Sequence, residues 1–299
     1  MRSVGRSILA AIALTAVVGT TTACGAADDA AGPETAPSPS RAARPAVSPA
    51  PGNHTLALDR AGTERTWAVH APPGYRPGTP IPLVVALHGT DQSPEAVRED
   101  SGLDALADRE GFLVAYPQAL NRQFSRLAEQ GDDVNFVRAL VERMVQEWSV
   151  DPARVYATGF SSGAEMTYAL GVEAAEVFAA IAPVSGAFAS GPAASDPNYK
   201  PGRPVSLITF IGRDDRNSAR MYSGLGRWQK NLGCTVGKPV WVDQARTVNR
   251  TASTCPDGSR IVDYTVNGMG HAWPSASGYR AAVDATAAMW EFFAANPRR

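Results

Sequence analysis

Two hydrophobic patterns alternate along most of the chain. Unbroken apolar runs at 81–87 (Ile-Pro-Leu-Val-Val-Ala-Leu), 112–116 (Phe-Leu-Val-Ala-Tyr) and 179–182 read as strands buried on both faces of a parallel sheet. In 94–109, Val97, Leu103, Leu106 and Ala107 recur at helical spacing. After Asp132 and Asp133, Val134, Val137, Val141, Met144, Val145 and Trp148 recur at three and four residues, which places them on one helix face. Asp151-Pro152 ends that helix and 154–158 returns as a strand. Further strands are expected at 205–211 and 261–266, with helices at 219–232 and 281–295. Ahead of them, 54–59 and 65–71 form an expected hairpin around Ala61-Gly62. This alternation predicts an α/β domain, a mainly parallel sheet with helices on both faces. Ligands of such sheets lie beyond the carboxyl ends of the strands, so chemistry is sought in the residues just after each strand.

The first fifty residues carry neither pattern. Arg2 and Arg6 precede an apolar run over 8–19, followed by Thr20-Thr21-Thr22-Ala23-Cys24. A basic start, a short apolar run and small residues before a cut describe a signal peptide over 1–24, too short to span a membrane as a helix. Cys24, followed by Gly25, is similar to a bacterial lipobox cysteine, with Thr21 where Leu is commonest. Its lipidation would supply the two or more acyl chains that stable anchoring needs; the alternative is ordinary cleavage near residues 23–27. Residues 25–52 hold Pro33, Pro37, Pro39, Pro45, Pro49 and Pro51 and almost no large apolar side chain, a composition expected to form an extended tether. The remaining 53–297 is expected to be one catalytic domain.

Charge and cysteine count narrow the function classes. The 299 residues include 28 Lys+Arg against 29 Asp+Glu, a formal net charge of −1, and 44% are hydrophobic. That balance excludes wholesale disorder and a dedicated nucleic-acid binder, which needs a basic surface. Three cysteines are too few for a disulfide-built scaffold, and no C-x-x-C or H-E-x-x-H spacing marks a zinc site.

The strand ending at Thr158 runs into Gly159-Phe160-Ser161-Ser162-Gly163 and then a helical segment. G-x-S-x-G between strand and helix makes a turn so tight that only hydrogen fits at the flanking positions, which thrusts the serine hydroxyl out over the sheet. Ser161 is the expected nucleophile. A serine needs a base, and the base an orienting carboxylate, in the chain order Ser, Asp, His on this fold. Of the four histidines, His54, His70, His88 and His271, only His271 follows the serine, just beyond the last strand. Gly212-Arg213-Asp214-Asp215-Arg216 follows the 205–211 strand, and spacing leaves both Asp214 and Asp215 open as the acid. Two N–H groups should bind the oxyanion, from Ser162 and, after the third strand, from Thr90. His88 reads as a neutral structural imidazole and not a second base. His88, Gly89, Tyr116 and Trp273 are assigned to the wall of the substrate site. Asp132 and Asp133 either cap a helix or shape the site.

With these residues in place, the chain resembles the secreted poly(3-hydroxybutyrate) depolymerase and feruloyl/acetylxylan esterase family of α/β-hydrolases, particularly its actinobacterial lipoprotein-type members. The landmarks are Pro72-Pro73-Gly74-Tyr75, Leu87-His88-Gly89, the 103–112 segment, Tyr116-Pro117, Asp132-Asp133-Val134, Gly159-Phe160-Ser161-Ser162-Gly163 and Gly270-His271-Ala272-Trp273-Pro274. The resemblance implies Asp215 as the acid, through the family's G-T-x-D segment. It also implies a Cys234–Cys255 disulfide, worth about 3 kcal/mol by loop closure. It implies an exported serine esterase acting on hydroxyalkanoate, feruloyl or acetyl esters, extracellular or on the cell surface. No cofactor or metal is expected, and the protein should act as a monomer with an ester substrate and, through the lipid, a membrane as its partners. Two features depart from the family: Glu165 follows the nucleophile turn, and Asn121-Arg122-Gln123-Phe124-Ser125 replaces a tryptophan-containing loop. No appended polymer-binding module is seen, and the link from 182 to 205 is too short for a full lid. The alternatives are a serine peptidase on the same fold and a noncatalytic binding lipoprotein.

Overall fold

Seven residues, Ile81–Leu87, show why the chain layers as it does: every one is buried, with Leu83, Val85 and Leu87 in one core and Val84 and Ala86 in the other. In the computed structural model, which describes residues 47–125, 132–188 and 196–298, this strand, β3, lies near the middle of an eleven-stranded sheet. The others are β1 (Gly52–Arg60), β2 (Thr63–Ala71), β4 (Leu113–Pro117), β5 (Val150–Phe160), β6 (Ala180–Val184) and β7 (Ser206–Gly212). They continue with β8 (Thr235–Val236), β9 (Val240–Trp241), β10 (Val248–Thr254) and β11 (Arg260–Val266). The order is β1-β2-β4-β3-β5-β6-β7-β11-β10-β8, with β9 also on β10. From β4 to β11 all neighbours are parallel, and antiparallel strands close both edges.

Helices α3 (Asp133–Glu147), α4 (Ser162–Glu173) and α5 (Ser218–Asn231) cover one face, through Leu140, Met166 and Trp228. Helices α1 (Pro94–Ser101), α2 (Leu103–Glu110) and α6 (Ala285–Ala294) cover the other, through Val97, Leu106 and Met289. The helix expected over 94–109 is two helices, because Gly102 at φ 63° caps α1 and starts α2. β5 begins earlier than expected, at Val150, and carries Pro152 within it; the register slip between Ile81 and Leu83 on β3 accommodates it. The alternating β10 (Val-Asn-Arg-Thr-Ala-Ser-Thr) has no apolar run and was not anticipated.

Signal peptide, Cys24 and most of the 25–52 tether lie outside the described residues, as do residues 189–195 of the link on which the absence of a full lid was expected. The last residues assigned to the tether belong to the domain: Val47 packs against the core and the Ala50 carbonyl accepts from His54 Nε2 at 2.8 Å. Gly52 pairs with Ala71, and the adjoining His70 pairs with Val114 at the start of β4. The chain therefore enters β1 at the amino end of the parallel strands. Cys234 and Cys255 are bridged, tying the end of α5 to the start of the β10–β11 turn.

One buried carboxyl has a thermodynamic consequence. Asp263 of β11 stands in register between Thr209 of β7 and Thr251 of β10. Burial pushes its pKa up to about 6, against a hydrogen bond from Thr251 and the charge of Arg250. An unfolded Asp releases its proton near pH 4, so between there and about pH 6 the folded state holds a proton that the unfolded state has lost. Stability contributed by this group is present in acid and lost as pH rises through about 6, by about 3 kcal/mol in all. We predict that Asp263→Asn removes this loss, so that the variant gains about 2–3 kcal/mol on the wild type between pH 4 and pH 7. Urea unfolding of both proteins across that range measures it; a difference that does not move with pH refutes the assignment.

Candidate active site

Ser161 joins β5 to α4 in a backbone conformation that L-residues avoid, φ 55° and ψ −117°. Strain of this kind persists only where the surroundings over-determine it, and here they do. A Cβ on Gly159 would lie 2.5 Å from the Gly163 carbonyl oxygen, and one on Gly163 would lie 2.4 Å from that of Leu87 and 2.5 Å from that of His88. The helix start is thus pressed onto the end of β3 with room only for hydrogen. Ser161 N–H donates to the Val184 carbonyl at 3.1 Å, and although the residue occupies the helix N-cap its hydroxyl makes no capping bond. The hydroxyl is left for other chemistry.

Asp215 and His271 are brought together by two neighbouring loops. Asp214 N–H donates to the Met269 carbonyl at 3.0 Å and Arg213 N–H to that of Val266 at 2.9 Å. The loops approach so closely that a Cβ on Gly212 would lie 2.4 Å from the carbonyl oxygens of both Met269 and Gly270. The Asp215 side chain is fully buried while that of His271 is one-third exposed, and Asp214 faces solvent. Asp215 Oδ2 accepts from His271 Nδ1 at 2.5 Å, and Oδ1 accepts from Asn217 N–H at 2.8 Å. A carboxylate only accepts, so Nδ1 carries a proton, and in the neutral imidazole Nε2 is the nitrogen that keeps a lone pair. The imidazole lies against Phe160, ring centroids 4.9 Å apart, which brings it beside the residue preceding Ser161. Its loop is pinned from just beyond β6, where Ser185 Oγ donates to the Ala272 carbonyl at 2.8 Å.

Behind the Ser161 turn, His88 is fully buried. Its Nδ1 donates to the Gly89 carbonyl at 2.7 Å and its Nε2 accepts from Ala119 N–H at 3.3 Å. Burial lowers its pKa, so it is a neutral, fully engaged imidazole. Among the described residues neither Thr90 N–H nor Ser162 N–H has a backbone partner, and Thr90 is exposed. Asp132 caps α3, its carboxylate accepting from the Asn135 backbone N–H at 3.5 Å and from Asn135 Nδ2 at 2.6 Å. Asp133 is fully buried, paired with Arg65 and accepting from Ser125 N–H at 2.6 Å. Glu165 ion-pairs with Arg220 of α5 at 3.0 Å, linking the helix after Ser161 to the one after Asp215.

The expected substrate wall is corrected by burial. His88, Tyr116 and Trp273 are at most 2% exposed and have internal partners. Tyr116 donates to Asp104 Oδ1 at 2.7 Å and Trp273 Nε1 to Thr286 Oγ1 at 3.0 Å. Gly89 is buried and its N–H is committed to Gln92 Oε1 at 2.8 Å. All four are buried, so none of them offers an exposed surface to a substrate. Their position at or after strand ends suggests contact, because sequence shows where a strand stops but not which way a side chain there turns. Ser185 was missed: only its place directly after the apolar run of β6 could have drawn attention to it.

The profile of the family described as "Esterase PHB depolymerase" matches residues 65–197. The putative esterase NocK of Nocardia uniformis subsp. tsuyamanensis is 32% identical over 265 residues, covering 75% of this chain and 75% of its own. The chain belongs to the PHB depolymerase esterase family. It is a carboxylic ester hydrolase. Feruloyl esterase C of Emericella nidulans is 31% identical over 77% of this chain and 84% of its own. Poly(3-hydroxyalkanoate) depolymerase C of Paucimonas lemoignei is 30% identical, and the match spans 58% of that protein. Among solved structures, acetyl xylan esterase from Aspergillus awamori superposes with a TM-score of 0.64 at 17% identity, over 81% of this chain and 99% of its own. That likeness identifies the family's architecture here as the α/β-hydrolase fold.

Proposed function

We propose that this esterase works through a Ser161–His271–Asp215 triad and an acyl-enzyme. The observation that carries the reading is the buried Asp215 carboxylate accepting from His271 Nδ1 at 2.5 Å, which leaves Nε2 basic beside the strained Ser161 turn. In the proposed reaction Ser161 Oγ attacks the ester carbonyl carbon as His271 Nε2 takes the hydroxyl proton. Asp215 holds the imidazolium through Nδ1–H, and the N–H groups of Thr90 and Ser162 receive the oxyanion. Collapse of the tetrahedral adduct breaks the bond to the alcohol oxygen, which takes the proton from His271. Water then adds to the acyl-enzyme by the same route in reverse, releasing the acid and Ser161.

The names of the relatives support hydroxyalkanoate esters and feruloyl or acetyl esters of polysaccharides as the substrate class. The test is hydrolysis of p-nitrophenyl acetate and butyrate, methyl ferulate, acetylated xylan and hydroxybutyrate oligomers by the purified protein, with Ser161→Ala beside it. Inactivity on every ester would sink the proposal.

We further propose that the protein is exported and anchored through a lipid on Cys24; the basic, apolar and small-residue succession of residues 1–24 supports this. The mass of the mature amino terminus should be that of a chain beginning at acylated Cys24. An unmodified terminus beyond residue 24 contradicts it.

A further inference from the structure

The proposed reaction gives no task to His88, the first residue after β3, yet both of its ring nitrogens are engaged in a way that fixes where the proton sits. Nε2 faces donors from the segment that follows β4, Ala119 N–H at 3.3 Å and Gln118 Nε2 at 3.5 Å. A backbone N–H only donates, so Nε2 accepts and Nδ1 carries the proton. That proton goes to the Gly89 carbonyl at 2.7 Å. Phe124 lies against the imidazole, ring centroids 4.7 Å apart, and the residue is fully buried. Packing and hydrogen bonds together hold the ring in one orientation.

The carbonyl that His88 holds belongs to the Gly89–Thr90 peptide, and so does the Thr90 N–H. In a trans peptide the two point in opposite directions. The carbonyl is turned to a buried imidazole, so the N–H is turned away from it; Thr90 is exposed, and its N–H has no backbone partner. Gln92 N–H gives the same carbonyl a second donor at 3.2 Å. This peptide stands beside the Ser161 turn: a Cβ on Gly89 would lie 3.4 Å from Phe160 Cδ1, and Gly163 is pressed onto the carbonyls of Leu87 and His88. Glycine leaves its own backbone free to swing, so the direction of the Thr90 N–H has to be set by groups outside residue 89.

We propose that His88 is a positioning residue: by donating Nδ1–H to the Gly89 carbonyl, it turns the Thr90 N–H outward to meet the oxyanion. The inference rests on the esterase mechanism proposed above and adds to it a buried residue that acts on the substrate only through a peptide plane.

The test is steady-state hydrolysis of p-nitrophenyl acetate by the wild type, His88→Asn, His88→Gln, Thr90→Pro and the double variant His88→Gln/Thr90→Pro. Asparagine carries an amide nitrogen near the place of Nδ1 and keeps a donor for Gly89, whereas the glutamine amide reaches to the place of Nε2. Thr90 is the second residue of the turn closed by Gln92, a position that proline favours, so Thr90→Pro removes the N–H with little change of backbone. It should lower kcat about 100- to 1000-fold. His88→Gln loses the aim and not the donor, so kcat should fall about 10-fold with KM within about two-fold. His88→Asn should lose less than His88→Gln. In the Thr90→Pro background His88→Gln should cost less than about two-fold more, because no N–H is left to aim. A wild-type kcat in His88→Gln overturns the positioning role, as does a full further loss in the Thr90→Pro background or a His88→Asn no better than His88→Gln. Nitrogen-15 NMR of the wild type tests the same point without any variant: the Nδ1–H tautomer of His88 is expected, and an Nε2–H tautomer overturns the proposal. Wild-type turnover by Thr90→Pro removes the donor and the positioning role but leaves the triad standing. No hydrolysis by the wild type overturns the mechanism and the positioning role together.

Discussion

Replacing Ser161 by alanine should lower kcat by about six orders of magnitude, while KM for a short ester moves little. The size follows from what the residue is asked to do. No bond to the acyl group can form without Oγ, so the covalent route closes entirely and His271 is left without a hydroxyl to activate. What survives is the orientation of a water by the remaining groups, with the two N–H donors still turned to the carbonyl oxygen, worth about a thousand-fold or more over water. The substitution is also structurally mild. Ser161 makes no side-chain capping bond, and the methyl group occupies the space of the removed hydroxymethyl. A thermal transition within a few degrees of the wild type is expected; a variant with normal unfolding and near-normal turnover on p-nitrophenyl butyrate would remove Ser161 from the reaction.

Asp215→Asn should come next, with a loss in kcat of about 10,000-fold, and the hydrogen bonds explain why a change of one atom does so much. Asn217 N–H donates to Oδ1 of Asp215 at 2.8 Å. In the asparagine variant that donor selects the amide oxygen, and the amide nitrogen is turned toward His271. Its N–H groups then donate to Nδ1, which must give up its proton, and the proton moves to Nε2. The imidazole is left with a hydrogen where its lone pair is required, unable to accept from Ser161. A pH–rate profile and single-turnover acylation by the variant, compared with the wild type, measure the loss. Retention of more than about a tenth of the wild-type kcat would show that Asp215 does not set the tautomer.

How far the site could be read from the chain depends on which physical constraint each residue obeys. The Ser161 turn was legible because steric exclusion leaves a trace: Gly159 and Gly163 are required by backbone contacts near 2.5 Å, and their spacing survives in the sequence. The acid did not leave such a trace. Asp214 and Asp215 are chemically identical neighbours, and only the loop backbone, tied to Met269 and Val266, turns one into solvent and the other onto His271. Apolar runs announced β3, β4 and β6 because both their faces are covered. β10 went unseen since it is an edge region strand with polar residues along one face. The break at Gly102 was hidden by continuous helical spacing on either side, as a single left-handed residue redirects the axis without interrupting the apolar pattern. Tyr116 and Trp273 misled for a related reason. Large aromatics after strand ends suit a substrate wall and a core equally well, and their partners, Asp104 and Thr286, come from remote segments. The disulfide partners were suggested by family resemblance alone; nothing in their spacing identifies a pair.

The direction in which the chain enters the sheet has a use of its own. Because β1 begins at Gly52 level with the start of β4, the chain enters the sheet at the end opposite to Ser161 and His271. The length of the parallel strands therefore separates Gly52 from the proposed triad. A label or coupling group placed at that entry would stand clear of Ser161, and a bulky ester could approach the proposed site without meeting it.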